Sequence, residues 1–182
     1  NLKRLQAEAD TAKKAYASAA TALHKKRVTA ANALDKAMVG ELEPLRLGNA
    51  RFKTNVIALD ENKWTETGAD RVAFAVATNP GSEPGPLNKI ASGGELARFM
   101  LALKVVLADA DPVPVLVFDE VDAGIGGAVA AAVGERLVRL GQGVQVFVVT
   151  HSPQVAAKGA HHLNVRKGTA GAQTRTEVVA LN

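Results

Sequence analysis

Two adjacent carboxylates, Asp119 and Glu120, stop the apolar run Val113-Pro114-Val115-Leu116-Val117-Phe118 and are followed by Val121, Asp122 and the turn Ala123-Gly124-Ile125-Gly126-Gly127. One carboxylate of such a pair can hold Mg²⁺ while the other orients or deprotonates a water. A second apolar run, Val144-Gln145-Val146-Phe147-Val148-Val149, ends in Thr150 and His151. A third stretch, Ser92-Gly93-Gly94-Glu95, heads a segment with apolar residues at Leu96, Phe99, Met100, Leu103, Val106 and Leu107. There the glycines leave a helix terminus open, so its free amides, its positive dipole end and the Ser92 hydroxyl could all contact a phosphate. Each stretch also has a plain structural reading: a core strand ending in a polar turn, a lone structural histidine, a well-capped helix.

The elements that position these residues follow from the pattern around them. A short continuous apolar run rich in β-branched residues reads as a strand buried on both faces, and in open α/β sheets ligands gather at the carboxyl ends of such strands. Ser92 with Glu95 forms a capping box. Gly126-Gly127 opens a helix through Leu140 with Val129, Val133, Leu137 and Leu140 on its buried side, and Gly141-Gln142-Gly143 ends it. A strand, helix, strand order at this spacing requires parallel neighbours joined by a right-handed crossover, so Asp119, Glu120 and His151 share one edge of the sheet. Ser152, with Pro153 at the first helical position, caps a short helix to Lys158. Residues 162–166 and 174–181, around Lys167-Gly168-Thr169-Ala170-Gly171, form a terminal hairpin.

Upstream, residues 1–39 lack Gly and Pro and are dominated by Ala, Lys, Leu and Glu, which predicts a helix of about 55–60 Å ended by Gly40 and Pro44. Leu2, Leu5, Ala9, Ala12, Tyr16, Ala19 and Leu23 follow a coiled-coil seam. It slips through Arg27 to Ala31, Leu34, Met38, Leu42 and Leu45, as a four-residue stutter produces. Such a seam calls for a second helix, and a chain that opens in mid-pattern on Asn1 reads as a fragment. Residues 51–59 and 71–77 alternate as a strand pair with 60–69 as their loop, and 79–86 is too rich in Pro and Gly for a regular element.

Composition narrows the class. The 182 residues contain no cysteine and four scattered histidines, which excludes disulfides and thiolate metal sites. No apolar run approaches the roughly 18 residues of a membrane span, so the expectation is a cytoplasmic protein without membrane contact. The net charge of +4 lies wholly in residues 1–50, where nine Lys and Arg face five Asp and Glu, against thirteen of each sign in the remainder. That basic segment suits nucleic acid, or simply a solvated helix face.

Together, in order and spacing, Ser-Gly-Gly-Glu heading a helix, an apolar run ending Asp-Glu and an apolar run ending Thr-His resemble the carboxy-terminal half of an ABC-type ATPase head of the SMC-like branch. Phe118-Asp119-Glu120-Val121-Asp122-Ala123-Gly124-Ile125-Gly126-Gly127 and Thr150-His151-Ser152-Pro153-Gln154-Val155-Ala156 are similar to the RecN family of bacterial DNA repair ATPases, in which an apolar residue is expected where Ser152 stands. The resemblance covers roughly residues 87–165. It implies an α/β fold, the carboxy-terminal lobe of a P-loop head with a mainly parallel sheet (47–182), preceded by a long coiled-coil helix (1–46).

By the same resemblance, Ser92, Gly93, Gly94 and Glu95 belong to the signature that meets ATP held by a second head. Asp119 is the Walker B residue for Mg²⁺, Glu120 the catalytic base, Asp122 the D-loop aspartate and His151 the switch histidine. The implied cofactors are ATP and Mg²⁺. The implied partners are DNA, a second head and an amino-terminal half carrying the Walker A loop, because no Gly-x-x-x-x-Gly-Lys-[Ser/Thr] occurs in these residues. The family's task is double-strand break repair and recombination at the nucleoid. The rivals are another SMC-like or RecF-like DNA ATPase, against which the Gly124-Ile125-Gly126-Gly127 turn argues, and a non-catalytic coiled-coil scaffold, against which the joint presence of Ser92, Asp119, Glu120 and His151 argues.

Overall fold

The computed structural model describes residues 1–78, 81–87, 93–108, 110, 113–170 and 173–181. They divide into two compact units, Asn1–Ala91 and Ser92–Asn182.

In the first unit α1 spans Leu2–Leu42, and a turn of 3-10 helix, Glu43–Leu45, follows it. Gly40 does not end the helix, contrary to expectation. With no neighbour within 4 Å it is carried through an exposed turn, and the break comes where Pro44 starts the 3-10 turn and Arg46 turns left-handed at φ 61. Strands β1 (Arg51–Ala58) and β2 (Asp70–Ala77) pair antiparallel, Arg51 opposite Ala77 and Ala58 opposite Asp70. A two-residue strand β3, Gly85–Pro86, extends the sheet at the edge of β2, so part of the proline-rich connection is regular after all. Pro86 is tolerated there because an edge position needs no amide donor.

Part of the predicted seam is covered within the first unit. From Tyr16 onward the covered face of α1 runs through Ala20, Leu23, Arg27, Ala31, Met38 and Leu42, and α1 packs on β1 of its own unit. Within this unit β1 and the β1–β2 connection cover part of the seam beyond Tyr16. Only the amino-terminal end keeps exposed seam leucines, Leu2 and Leu5.

The β1–β2 connection is also more than a loop. It contains a 3-10 turn, Glu61–Lys63, and clasps the helix. Tyr16 stacks on Trp64 with ring centroids 5.0 Å apart and donates its hydroxyl to Thr65 O, while Lys13 pairs with Glu61. Asp70, almost fully buried, accepts from His24 Nδ1 at 2.7 Å and Arg27 Nη1 at 3.3 Å. Gly68 is fixed by this contact: its φ is 118, and a Cβ would lie 2.9 Å from Arg27 Nη1. Nearer the helix end, burial raises the Asp35 carboxyl, but hydrogen bonds from the Lys53 ammonium and the Thr54 amide outweigh it and hold the group below its ordinary range. Its stabilisation is therefore present above the ordinary carboxylate pKa of about 4 and is lost as pH falls through the lowered value.

The clasp carries a test. Asp70→Ala should lower stability by about 2 kcal/mol in denaturant titration, because it strands a partly buried guanidinium. Asp60→Ala, which removes the exposed Asp60–Lys63 pair, should change nothing measurable. Equal effects would mean that the clasp is decorative.

The second unit begins its regular structure with α2 (Gly93–Val106), buried nearly all round through Phe99, Leu101, Ala102, Leu103 and Val105. Strands β4 (Val115–Asp119) and β5 (Gln145–Val149) pair in parallel, and α3 (Gly127–Gly141) crosses between them with Ala130, Val133, Leu137 and Leu140 inward. The helix α3 packs on α2, on β5 and on a short α4 (Pro153–Ala156) that stops before Lys158. Strands β6 (His162–Ala170) and β7 (Gln173–Leu181) close the chain as an antiparallel hairpin. The parallel sheet expected of the α/β layer is thus the pair β4–β5, with the antiparallel pairs outside it.

One expectation fails here. β4 is not buried on both faces: Val115 and Val117, with Phe147 and Val149 of β5, remain 43–68% exposed. The continuous apolar run therefore reflects an open second face, which parallel sheets almost always have covered.

Candidate functional site

The register of β4 and β5 sets the site. Asp119 lies opposite Val149, so the residues that follow, Glu120 on one strand and Thr150 and His151 on the other, leave the same edge of the sheet. Asp119, Glu120 and His151 are all exposed, and Asp119 lies on the same open face as Val117, Phe147 and Val149. Glu120 has φ 56, a left-handed conformation that non-glycine residues rarely adopt. Such a conformation costs on the order of 1 kcal/mol or more and persists where the surroundings impose it. Here the turn does so, as the Ala123 amide donates to Glu120 O at 3.0 Å and the Ile125 amide to Asp122 O at 3.3 Å.

Asp122 does not share this exposure. It is 1% exposed, and its Oδ2 accepts from the Thr150 hydroxyl and, at 3.2 Å, from the Ser152 amide. Ser152 occupies the N-cap position of α4, yet its side chain does not cap the helix as expected. Its hydroxyl donates to Gln154 Oε1 at 3.0 Å, and its amide is taken up by Asp122 and by Thr150 Oγ1. This departure from the apolar residue expected at that position leaves the local architecture in place.

On the other side of the turn stands the start of α2. Gly93, Gly94 and Glu95 form its first turn, while Ser92 and the proposed capping box fall outside the described residues. Gly94 abuts the turn after β4: a Cβ there would lie 3.0 Å from Ala123 O. The buried Arg98, one turn on, donates from Nη1 to the same carbonyl at 3.2 Å. The structure thus brings Gly94, Asp122 and Thr150 to one turn and leaves Asp119, Glu120 and His151 open at its edge. Sequence reasoning missed Thr150 and Arg98. The hydroxyl beside His151 was the available signal for Thr150, and nothing in the spacing ties Arg98 to Ala123.

The donor set fits a nucleotide-held magnesium better than a protein-held metal. No group of three or more acidic or histidine side chains capable of holding a metal occurs among the described residues. Magnesium usually keeps several waters and phosphate oxygens and takes only one or two carboxylates, which Asp119 and Glu120 can offer. Among the described residues, no helix is long and apolar enough to cross a membrane.

Comparison with known proteins gives a consistent picture. Over all 182 residues the chain is 44% identical to the DNA repair protein RecN of Rickettsia felis, and over 178 residues it is 43% identical to that of Vibrio cholerae. It spans about a third of the length of these relatives, 33% and 32% respectively. No family model matches the sequence. In fold, 99% of the chain superposes on 32% of the Smc head domain with a coiled coil and joint of Pyrococcus yayanosii, at a TM-score of 0.67 and 18% identity. A structure described for ATP-driven dimerization and DNA-stimulated activation of SMC ATPases matches 87% of the chain and 89% of its own length, at a TM-score of 0.51 and 18% identity.

Proposed function

Because the chain belongs to the RecN family along all 182 residues, we propose that it is part of an SMC-like ATPase of DNA repair. In this reading residues 1–46 are the returning arm of a coiled coil and 47–182 are the carboxy-terminal half of an ATPase head. The division is one of role, since part of α1 packs on β1. The amino-terminal half of the same polypeptide supplies the Walker A loop and covers the open face formed by Val117, Phe147 and Val149. ATP is then hydrolysed between two such heads, in a cytoplasmic, nucleoid-associated protein whose substrate is broken DNA.

The observation that carries this reading is the edge itself: a paired Asp119 and Glu120 and a histidine leave adjacent parallel strands together, all three exposed. Asp119 would hold Mg²⁺, which when bound would neutralise charge on the phosphate oxygens. Glu120 orients the attacking water and accepts its proton. His151 donates to the terminal phosphate, and the Ser92-Gly93-Gly94-Glu95 stretch offers its amides and hydroxyl to the nucleotide of the opposite head. Phosphoryl transfer needs mainly positioning and charge stabilisation, and these groups supply both.

Ser92→Asp in the complete protein tests the composite site. Aspartate caps a helix about as well as serine and suits the dipole, so the fold should survive, but its charge would face the partner's γ-phosphate. The variant should melt normally and bind ATP as a monomer, yet fail to pair its heads or hydrolyse. ATP-dependent pairing and turnover at the normal level would reduce Ser92 to a cap.

A further inference from the structure

Asp122 lies inside its own chain, and what it holds is the segment that carries His151. Its Oδ2 accepts from the Thr150 hydroxyl on one side of His151 and from the Ser152 amide on the other, and the Ser152 amide also reaches Thr150 Oγ1 at 3.0 Å. Both neighbours of an exposed histidine are therefore fixed to a single carboxylate oxygen. That oxygen belongs to the turn whose first residue is the strained Glu120, tied through Ala123. The other oxygen, Asp122 Oδ1, is buried with no hydrogen-bond partner among the described residues.

We propose that Asp122, with Thr150, is a positioning latch that sets the offset of His151 from Asp119 and Glu120. The inference rests on the function proposed above, because it gives His151 a nucleotide to meet. It differs from the expected D-loop role in direction. The Asp122 side chain works within the subunit. When the His151 segment shifts, the latch carries the shift into the turn at residues 122–124, and through Ala123 to the start of α2, where Gly94 and Arg98 meet it. The latch therefore couples the switch histidine of a head to the signature turn of the same head.

The test uses the complete protein and reads ATPase kcat and KM together with the melting temperature. Thr150→Val keeps the shape and removes the donor. It should lower kcat between about tenfold and a hundredfold, the effect of a misplacement near 1 Å, with KM held within about twofold. Thr150→Ser restores the hydroxyl and should restore kcat. If Thr150→Val folds poorly, Asp122→Leu gives the same reading from the acceptor side: it leaves the Thr150 hydroxyl without this acceptor, so its melting temperature should fall by a few degrees, and its turnover, read well below that temperature, should be slow. His151→Ala separates this inference from the reading beneath it. Should His151→Ala abolish turnover while Thr150→Val and Asp122→Leu run at the parental rate, the latch is wrong and the site stands. Should His151→Ala itself run normally, the site reading falls and the latch with it. A loss in Thr150→Ser equal to that in Thr150→Val would also overturn it, because the hydroxyl would then be irrelevant.

Discussion

Glu120→Gln in the complete protein is expected to stop ATP hydrolysis while leaving ATP bound. Removing a general base from its water costs between about 10²- and 10⁴-fold in rate, and the amide keeps the shape of the carboxylate. Glu120 is exposed and makes its turn through its backbone, so the fold does not depend on its charge. Gln also keeps a Cβ in the same left-handed conformation, so backbone strain at φ 56 is neither relieved nor increased. The melting temperature should therefore stay put, and ATP-bound paired heads should accumulate. Asp119→Asn should give the opposite pattern: nucleotide affinity should fall in the presence of Mg²⁺, because in the proposed site the lost group holds the ion rather than the water. Single-turnover kinetics separates the two. Hydrolysis by Glu120→Gln at the parental rate would remove Glu120 from the role of base.

Much of this arrangement is legible in the amino-acid sequence, and the reason is local. Strands that end in Asp-Glu and Thr-His, with a helix of the right length between them, admit only a parallel pair with both polar ends on one edge, and β4 and β5 have that register. The hairpins β1–β2 and β6–β7 are readable from alternation and turn residues. What is not legible depends on contacts far apart in sequence. The clasp of Tyr16, His24 and Arg27 on residues 64–70 spans more than 40 positions, and no periodicity in α1 distinguishes a face that meets a sheet from one that meets a helix. Likewise the burial of Asp122 follows from Thr150 and Ser152, 28 and 30 positions away. The open face of β4 misleads for a different reason. A continuous apolar run reads as a strand covered on both faces, yet Val115 and Val117 are exposed, because the run records that both faces are apolar without recording what lies against each.

The central claim is that this chain carries half of a nucleotide site, and titration calorimetry with Mg-ATP addresses it most directly. The chain has Asp119, Glu120 and His151 but no phosphate loop, and the loop's amides and lysine would make most contacts to the phosphates. The 182-residue chain should therefore give no heat of tight binding, whereas the complete protein should bind with micromolar affinity or better, worth about 8 kcal/mol or more. Micromolar binding of Mg-ATP by the 182-residue chain alone, or steady turnover by it, would contradict the account.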